Sequence, residues 1–338
     1  MNRFWLFRTN LTSLESYHQY NNLDDFEKNC WDFYAVIGLW ILQNTDCREI
    51  TVWRLTKKKN FATKFKLPNN KLFIQRFVKN FDECFKYPFP DATLFRGGFK
   101  EYCELTKKNP KFFGTKLYLG ASKRKYPIYG GKYDKVLVED ERDLKKKNYI
   151  PFYKIGVPNI FKSLNLEKKW DICFPANFTQ ISYKGQEYFI KQISKSDLLK
   201  SLKIVNCGNK PEVGKKLCKK YGINNIEFLG HVDRFGVNSV LNHSKFGLVA
   251  SNNTDGCPRV ATEILGAGTP LLVRKETRLL DYYKNLDCVE VFDDNKLEKV
   301  YKKAKKNYKE MKQKNIEYLK HELNIDNIMK MNLKLWRN

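Results

Sequence analysis

The stretch Ser251–Val273, SNNTDGCPRVATEILGAGTPLLV, constrains the fold of this chain more than any other. The run Pro258–Ala267 predicts a short helix, because proline is tolerated in a first helical turn and glycines favour the place where a helix stops. The apolar runs Phe246–Ala250 and Pro270–Val273 on either side are typical of buried parallel strands. We therefore expect a strand, a loop, a helix and a second strand.

The start of this helix is a candidate site for a phosphate-bearing ligand. The first N–H groups of a helix lack intrahelical partners and carry the positive end of its dipole, and Arg259 adds a positive charge there. Ligands of parallel α/β sheets bind beyond the carboxyl ends of the strands, where this loop would lie. Two carboxylates, Asp255 and Glu263, flank the helix start. An alternative stays open, in which Asp255 only caps the helix and Glu263 only pairs with Arg259.

Length and composition indicate a folded protein with a strongly positive surface. The 338 residues suffice for two domains of ordinary size, and 42% hydrophobic and 14% aromatic residues exclude a disordered chain. The net charge of +26 is spread over both halves. Such a field suits nucleic acid, an anionic membrane surface or a phosphate-rich ligand, although a solvated basic surface would need no partner.

The cysteines and apolar runs indicate a cytoplasmic protein. The nine cysteines form no C-x-x-C pair, which is typical of reduced thiols and not of disulfides or a zinc site. The four histidines show no ligand spacing. The apolar run at the N-terminus is too short for a signal peptide, and Phe33–Leu42 is too short to span a bilayer.

Short apolar runs alternate with helical patterns along the whole chain, which predicts α/β domains with parallel sheets. In the first half the predicted strands are Ile50–Leu55, Asp91–Phe95, Lys116–Gly120 and Tyr133–Glu139, and the predicted helices are Leu23–Gln43 and Phe99–Lys107. In the second half the predicted strands are Trp170–Pro175, Leu202–Gly208 and Ile226–Leu229, and the predicted helices are Tyr188–Ile193, Glu212–Tyr221 and Val237–His243.

The C-terminal part, Leu297–Leu323, predicts one long Lys-rich helix with an apolar side. A basic amphipathic helix of this kind can lie on a membrane. The other interpretation is that its apolar side packs across the first domain.

The order of these features resembles the retaining glycosyltransferases of the GT-B fold, family 4 or glycosyl transferases group 1. The resemblance covers about residues 150–285 and includes the Gly-Thr-Pro turn at 268–270 and the lysine before a glycine at Lys184. The chain departs from the pattern in two places. Asp255 stands where the family usually has Glu, and Asn177 or Thr179 stands where an arginine of the diphosphate clamp is expected.

The resemblance implies two Rossmann-like α/β domains that face each other across a cleft. Residues 1–155 would form an atypical acceptor-side domain and residues 156–323 the nucleotide-sugar domain. Residues 324–338 would be a tail that packs back on the first domain. The glycine-rich loop and cleft histidine common in the first domain of the family are missing, and Arg96-Gly97-Gly98 or Ala121-Ser122 would line the cleft in their place.

The resemblance also assigns roles to residues. Glu263 would hold the nucleotide ribose, Asp255 would orient the donor sugar, and Lys184 would neutralise the departing diphosphate with help from Arg259. These roles make Asp255, Glu263 and Lys184 the predicted catalytic residues. The other predicted donor-binding residues are Asn177, Gly185, Gly208, Gly230, His231, Gly256, Cys257, Pro258, Arg259 and Val260.

The implied activity is transfer of a sugar from a UDP or GDP sugar to a hydroxyl group of a glycan or glycolipid, with retention of configuration. No cofactor and no metal are expected, and peripheral attachment to a membrane is left open. Two other hypotheses remain. The high positive charge would suit a glycosyltransferase that modifies a DNA base, and the missing arginine and histidine would suit an inactive module that only binds nucleotide sugars.

Overall fold

The chain forms two compact units. The computed structural model describes residues 1–8, 20, 22–30, 32–57, 59–97, 99–120, 131–178, 183–252 and 258–337. Unit 1 comprises Met1–Val138, Arg142–Phe152 and Met329–Asn338, and unit 2 comprises Glu139–Glu141 and Tyr153–Ile328.

Unit 1 is an eight-stranded sheet with helices. Its strands are β1 (Arg3–Arg8), β2 (Glu49–Leu55), β3 (Phe61–Lys66), β4 (Leu72–Val78), β5 (Ala92–Arg96), β6 (Thr115–Leu119), β7 (Lys135–Val138) and β8 (Tyr149–Pro151). Its helices are α1 (Leu23–Asn29), α2 (Phe33–Asn44) and α3 (Lys100–Lys108), with 3₁₀ turns at Pro68–Asn70 and Phe81–Lys86. The strand order is β3-β4-β2-β1-β5-β6-β7-β8, and only the edge strand β3 is antiparallel.

The chain starts unit 1 in the middle of this sheet. From β1 it first builds β2 and β4 on one side and then β5 to β8 on the other side. The direction of winding therefore reverses between β1 and β5, which makes this the topological switch point of the unit. One face of the sheet packs a cluster of aromatic side chains that includes Trp5, Phe7, Trp53 and Phe95.

The single helix predicted over Leu23–Gln43 is wrong, because the structure has α1 and α2 there with a break before Phe33. Asp32 adopts an extended conformation, and its side chain accepts a hydrogen bond from the Tyr34 N–H. An N-terminal cap of this type starts a new helix. The apolar spacing continues across the break, and the capping residue decides the local structure.

Unit 2 is a six-stranded sheet with helices. Its strands are β9 (Trp170–Cys173), β10 (Ile204–Cys207), β11 (Ile226–Gly230), β12 (Ser244–Val249), β13 (Leu271–Arg274) and β14 (Val289–Phe292). Its helices are α4 (Gln186–Ser194), α5 (Asp197–Lys200), α6 (Pro211–Lys220), α7 (Arg234–Asn242), α8 (Arg259–Gly266), α9 (Asp281–Lys284), α10 (Leu297–Lys306), α11 (Tyr308–His321) and α12 (Ile325–Arg337), which continues into unit 1 from Met329.

All strand pairs of unit 2 are parallel, in the order β11-β10-β9-β12-β13-β14. The chain builds β9, β10 and β11 outward and then returns to place β12 on the other side of β9. The switch point of this unit lies between β9 and β12, and a ligand of such a sheet binds beyond the carboxyl ends of these two strands.

The long helix predicted over Leu297–Leu323 is interrupted at Asn307, which separates α10 from α11. Tyr301, Ala304 and Met311 from their apolar side are buried in the core of unit 2. The expectation that this side packs across the first domain is therefore wrong.

The last residues of α12 complete the core of unit 1. The Trp336 ring stacks on Phe4 of β1 with 6.3 Å between ring centroids, and it also stacks on Phe152 at 6.3 Å. Lys135 Nζ donates a hydrogen bond to the Leu335 carbonyl oxygen at 2.7 Å. Within the described ranges, none of the helices combines the length and apolarity needed to cross a bilayer.

Candidate active site

The two loops at the switch point of unit 2 are joined to each other. The loop after β9 leads to α4, and the loop after β12 leads to α8. The Asn252 N–H donates a hydrogen bond to the Tyr183 carbonyl oxygen at 3.0 Å. Gly185 packs so tightly on the end of β12 that a Cβ atom there would lie 1.9 Å from the Ala250 carbonyl oxygen. The start of α4 is therefore fixed against the end of β12.

The N-terminal cap residues of both helices at this point, Gly185 and Pro258, provide no side-chain cap. Gly185 is the N-terminal cap of α4 and has a left-handed conformation with φ of 73°. Pro258 is the N-terminal cap of α8, and its side chain offers no acceptor. Each helix thus presents N–H donors and the positive end of its dipole, an arrangement that attracts anions.

Lys184 adds a positive charge directly before α4. Its side chain is half-buried, and Nζ lies 5.3 Å from the centroid of the Tyr183 ring. Glu187 lies in the first turn of this helix. Its Oε1 accepts a hydrogen bond from the Tyr221 hydroxyl at 2.5 Å. That hydrogen bond, together with Lys191 and Lys220, lowers the pKa of Glu187 below its ordinary value.

The loops after β9 and β10 are held together by Asn177 and Gly208. Asn177 Oδ1 accepts a hydrogen bond from the Asn209 N–H at 2.8 Å, and its carbonyl oxygen accepts one from Gln186 Nε2 at 2.5 Å. A Cβ atom on Gly208 would lie 2.2 Å from the Ala176 carbonyl oxygen. Both residues were predicted to contact the donor, and the structure gives both of them a role in shaping these loops.

Glu263 on α8 forms an ion pair with Arg234, the first residue of α7. Glu263 Oε1 lies 2.8 Å from an Arg234 guanidinium nitrogen. The Glu263 side chain is 9% exposed and the Arg234 side chain 33% exposed, so one partner is buried and the other reaches solvent. The pairing with Arg259 that we considered from the sequence is therefore replaced by a pair between two helices.

Arg234 is a site residue that the sequence did not predict. Asp233 caps α7 by accepting a hydrogen bond from the Gly236 N–H at 2.7 Å, which fixes Arg234 in the first turn. The only sequence feature that could have drawn attention to Arg234 is the pair Asp233-Arg234 after the predicted strand Ile226–Leu229. The residues next to this pair in the sequence do not indicate that Arg234 binds a carboxylate on α8.

The remaining predicted residues fall into two groups. Gly230 has a φ of 74° at the end of β11, and His231 beside it is exposed. Val260 lies in the first turn of α8 after Arg259, and both are half-buried. Three predicted residues, Asp255, Gly256 and Cys257, lie outside the described residues, as do Thr179 and Ala121-Ser122.

In the described ranges the structure contains neither a cluster of metal-binding side chains nor a disulfide. No cluster of three or more His, Cys, Asp or Glu side chains there could hold a metal ion. The eight cysteines described are buried free thiols.

Comparison with known proteins identifies the domain to which this site belongs. Residues 157–322, nearly all of unit 2, match the family model of glycosyl transferases group 1. The chain carries a glycosyl transferases group 1 domain. The predicted membership in glycosyl transferases group 1 is thereby confirmed, and the match includes every described residue at the two switch-point loops of unit 2.

Solved structures extend the similarity to the whole chain. Sucrose-phosphate synthase from Thermosynechococcus elongatus is similar with a TM-score of 0.68 and 12% identity, over 100% of this chain and 98% of that chain. The α,α-trehalose 6-phosphate synthase from Burkholderia multivorans has a TM-score of 0.64 and 8% identity, over 100% and 98% of the two chains. WaaG, a glycosyltransferase involved in lipopolysaccharide biosynthesis, has a TM-score of 0.59 and 10% identity, over 98% and 99%.

These similarities concern the fold, because the identities are low. The prediction of a GT-B fold with two Rossmann-like domains is confirmed, and unit 1 belongs to that fold although the group 1 match lies outside it. A comparison with curated protein sequences gives no match.

Proposed function

We propose that the protein is a retaining glycosyltransferase that uses a UDP or GDP sugar as donor and a hydroxyl group of a glycan or glycolipid as acceptor. The observation that carries this proposal is the pair of helix starts, α4 and α8, whose preceding loops are joined at the switch point of a group 1 domain, with Lys184 directly before α4. Such a site suits the two phosphates of a nucleoside diphosphate.

The departing diphosphate needs the most stabilisation during transfer. The bond between the anomeric carbon and the phosphate oxygen breaks with its electron pair on the oxygen, and the acceptor oxygen forms the new bond to the same carbon. The acceptor proton passes to the departing phosphate on the same face of the sugar. Lys184, Arg259 and the N–H groups of both helix starts are fixed charges and donors where negative charge develops, and such preorganised groups lower the barrier.

Arg234 is a positioning residue for Glu263 in this proposal. The ion pair occupies Oε1 of Glu263 and leaves Oε2 to accept hydrogen bonds from the ribose hydroxyls. A carboxylate in a buried position holds one orientation when an arginine binds it. Asp255 is assigned to the hydroxyls of the donor sugar because of its place before Gly256.

The similar structure WaaG supports the choice of acceptor. WaaG is a glycosyltransferase involved in lipopolysaccharide biosynthesis, and its whole chain aligns with this one. We therefore place the acceptor among glycans and glycolipids. No metal is assigned a role, since fixed positive charges are present at both helix starts.

The test is thermal unfolding with and without UDP and GDP in a metal-free buffer. A nucleotide at about a hundred times its dissociation constant should stabilise the wild type by about 2.7 kcal/mol. Glu263→Gln should remove most of this effect, and Arg234→Gln should weaken it because the carboxylate loses its orientation. Glu310→Gln on the exposed surface of α11 is the matched control and should keep the full effect.

Two outcomes would contradict the proposal. One is the absence of stabilisation by either nucleotide in the wild type. The other is equal loss of stabilisation in Glu263→Gln and Glu310→Gln. Release of UDP or GDP from a panel of nucleotide sugars then identifies the donor, and the anomeric configuration of the product tests retention.

A further inference from the structure

An irregular segment of unit 2, residues 154–164, packs against the helices that carry the Glu263–Arg234 ion pair. We call this segment the strap. It follows Tyr153, and none of its residues belongs to a strand or a helix. Its apolar side chains are nevertheless deeply buried, with at most 5% exposure for Ile155, Val157, Ile160 and Phe161. A buried segment outside the sheets needs other partners for its main-chain groups.

The strap is in close contact with α8 at Glu263. The Gly156 N–H donates a hydrogen bond to the Thr262 carbonyl oxygen at 3.1 Å. A Cβ atom on Gly156 would lie 3.0 Å from Glu263 Cα. Gly266 comes three residues later on α8, and a Cβ atom there would lie 3.4 Å from Gly156 Cα. The strap therefore touches the backbone of the residue that is assigned to the ribose.

Two asparagines of α7 bind the other end of the strap. Asn238 Oδ1 accepts a hydrogen bond from the Lys162 N–H at 3.2 Å, and Asn242 Oδ1 accepts one from the Leu164 N–H at 2.6 Å. Asn242 Nδ2 also donates a hydrogen bond to the Lys162 carbonyl oxygen at 3.0 Å. Both asparagine side chains are buried. Because buried polar groups that lose their partners are costly, these bonds fix the strap on α7 in one position.

The two asparagines share one face of α7 with Arg234. Positions 234, 238 and 242 are four residues apart, a spacing that places side chains on the same side of a helix. Arg234 begins this face and lies 2.8 Å from Glu263 Oε1. The strap thus contacts α7 on the face that carries Arg234 and α8 at the backbone of Glu263.

The space at Gly156 determines how closely the strap and α8 approach each other. The φ of Gly156 is not in the left-handed region, so an alanine there would not strain the backbone. Its Cβ atom would lie 3.0 Å from Glu263 Cα and 3.1 Å from the Thr262 carbonyl oxygen, and such contacts are relieved by a shift of a few tenths of an ångström. Since α7 holds the strap, this shift changes the position of α8 relative to α7.

We propose that Gly156, Asn238 and Asn242 are positioning residues for the donor nucleotide, which act through the strap. The strap sets the distance between α7 and α8 and with it the direction in which the Glu263 carboxylate faces the ribose. Hydrogen bonds between oxygen atoms are about 2.7 Å long and weaken with poor geometry, so a small shift lowers affinity. The role toward the nucleotide rests on the proposed function, whereas the effect of the strap on the ion pair does not.

Calorimetric titration of the full chain with UDP and with GDP, well below the unfolding temperature, tests the role toward the nucleotide. Gly156→Ala should weaken binding by about tenfold or more. Gly38→Ala on α2 is the matched control. A Cβ atom on Gly38 would lie 3.1 Å from Ile50 Cγ2, a similarly tight contact in unit 1, and this variant should keep the affinity of the wild type.

A second pair of variants tests the strap from the side of α7. Asn242→Ala removes the bonds to Lys162 and Leu164 and should also weaken nucleotide binding. Asn225→Ala is its control, because Asn225 Nδ2 donates hydrogen bonds to the carbonyl oxygens of Leu199 and Leu202, which are not part of the strap. A merely structural role would lower the unfolding temperature of the variants and leave the affinity of the folded protein unchanged.

A measurement without nucleotide separates the strap from the proposed function. The coupling between Arg234 and Glu263 is obtained from the unfolding of Arg234→Gln, Glu263→Gln and the double variant. This coupling should decrease when Gly156→Ala is added and stay unchanged when Gly38→Ala is added. Asn242→Ala gives the same comparison if Gly156→Ala does not fold.

Three results would overturn the role of the strap. They are an unchanged coupling of the ion pair in both strap variants, an unchanged nucleotide affinity in both, and an equal loss of affinity in the two controls. A different result would overturn the proposed function alone. In that case the wild type binds neither UDP nor GDP, while the coupling between Arg234 and Glu263 still decreases in Gly156→Ala.

Discussion

Gly185 joins the start of α4 to the end of β12, and two constraints act on it together. Its φ of 73° disfavours any side chain, and a Cβ atom would overlap the Ala250 carbonyl oxygen. Gly222 shares only the first constraint, since its φ is 65° and a Cβ atom added there would meet no other atom within 4 Å among the described residues. The two glycines therefore separate backbone strain from a direct clash.

We expect Gly222→Ala to lower the free energy of unfolding by about 1 to 2 kcal/mol, the cost of a left-handed alanine. Gly185→Ala should cost several times as much or prevent folding of unit 2, because backbone atoms cannot move aside easily. Chemical denaturation followed by circular dichroism measures both. Equal effects of the two changes would show that the contact with Ala250 is unimportant.

At the scale of single residues, the predicted donor site rests more on resemblance than on physical pattern. Lys184 and Gly185 were singled out because they match a motif, and the close approach of Gly185 to Ala250 gives a physical reason for the glycine. The Glu263–Arg234 pair was missed because its partners are far apart in the chain and meet only through the packing of α7 against α8. No local spacing encodes that contact.

Among the elements, α2 depends on Asp32 in two ways. This residue caps the helix and also neutralises Arg8 and Arg54, whereas Asn22 only caps α1. The cap of α1 is a hydrogen bond from the Asp25 N–H to Asn22 Oδ1 at 2.8 Å. Asn22 is therefore a control that isolates the contribution of capping.

Asn22→Ala should destabilise the protein by about 1 kcal/mol, the usual value of a cap. Asp32→Ala should cost about 3 to 5 kcal/mol, because it leaves buried guanidinium groups without their carboxylate. Unfolding in urea followed by tryptophan fluorescence is suited to this comparison, since every described tryptophan except Trp170 belongs to unit 1. A cost for Asp32→Ala no greater than that for Asn22→Ala would contradict the importance of the ion pairs.

Strands could be predicted where an apolar run lay between turn residues, and helical regions where the apolar spacing was regular, although this spacing did not show the breaks before Phe33 and at Asn307. β1 was missed because its apolar run stands at the start of the chain, where we considered only a signal peptide. Without β1 the switch point of unit 1 could not be recognised. β3 was missed because it is an edge strand. Most of its side chains are partly or fully exposed, so its sequence contains no apolar run.

For the whole molecule, buried thiols contribute to the response to alkaline pH. Burial raises the pKa of Cys30 and Cys288 to about 12 and that of Cys47 and Cys218 to about 11. An exposed thiol of the unfolded chain ionises near pH 8.5. Between these values the unfolded state has lost protons that the folded state keeps, so stability falls as pH rises.

We expect the free energy of unfolding to decrease steeply from about pH 9 to pH 12 in the presence of a reductant. Cys288→Ala should make this dependence shallower by about 1.4 kcal/mol per pH unit, the contribution of one proton. Val289→Ala, a change of the next buried residue without a titrating group, should shift the curve without changing its slope. Parallel curves for Cys288→Ala and the wild type would refute this explanation.

The contact between Trp336 and Phe4 has a consequence for biosynthesis. A ribosome makes β1 before unit 2 and the end of α12 after it. Unit 2 is almost continuous in the chain and can fold as it emerges, whereas β1 must wait with one aromatic surface uncovered until the end of α12 has been made. During that interval the nascent chain exposes the kind of apolar surface that chaperones recognise.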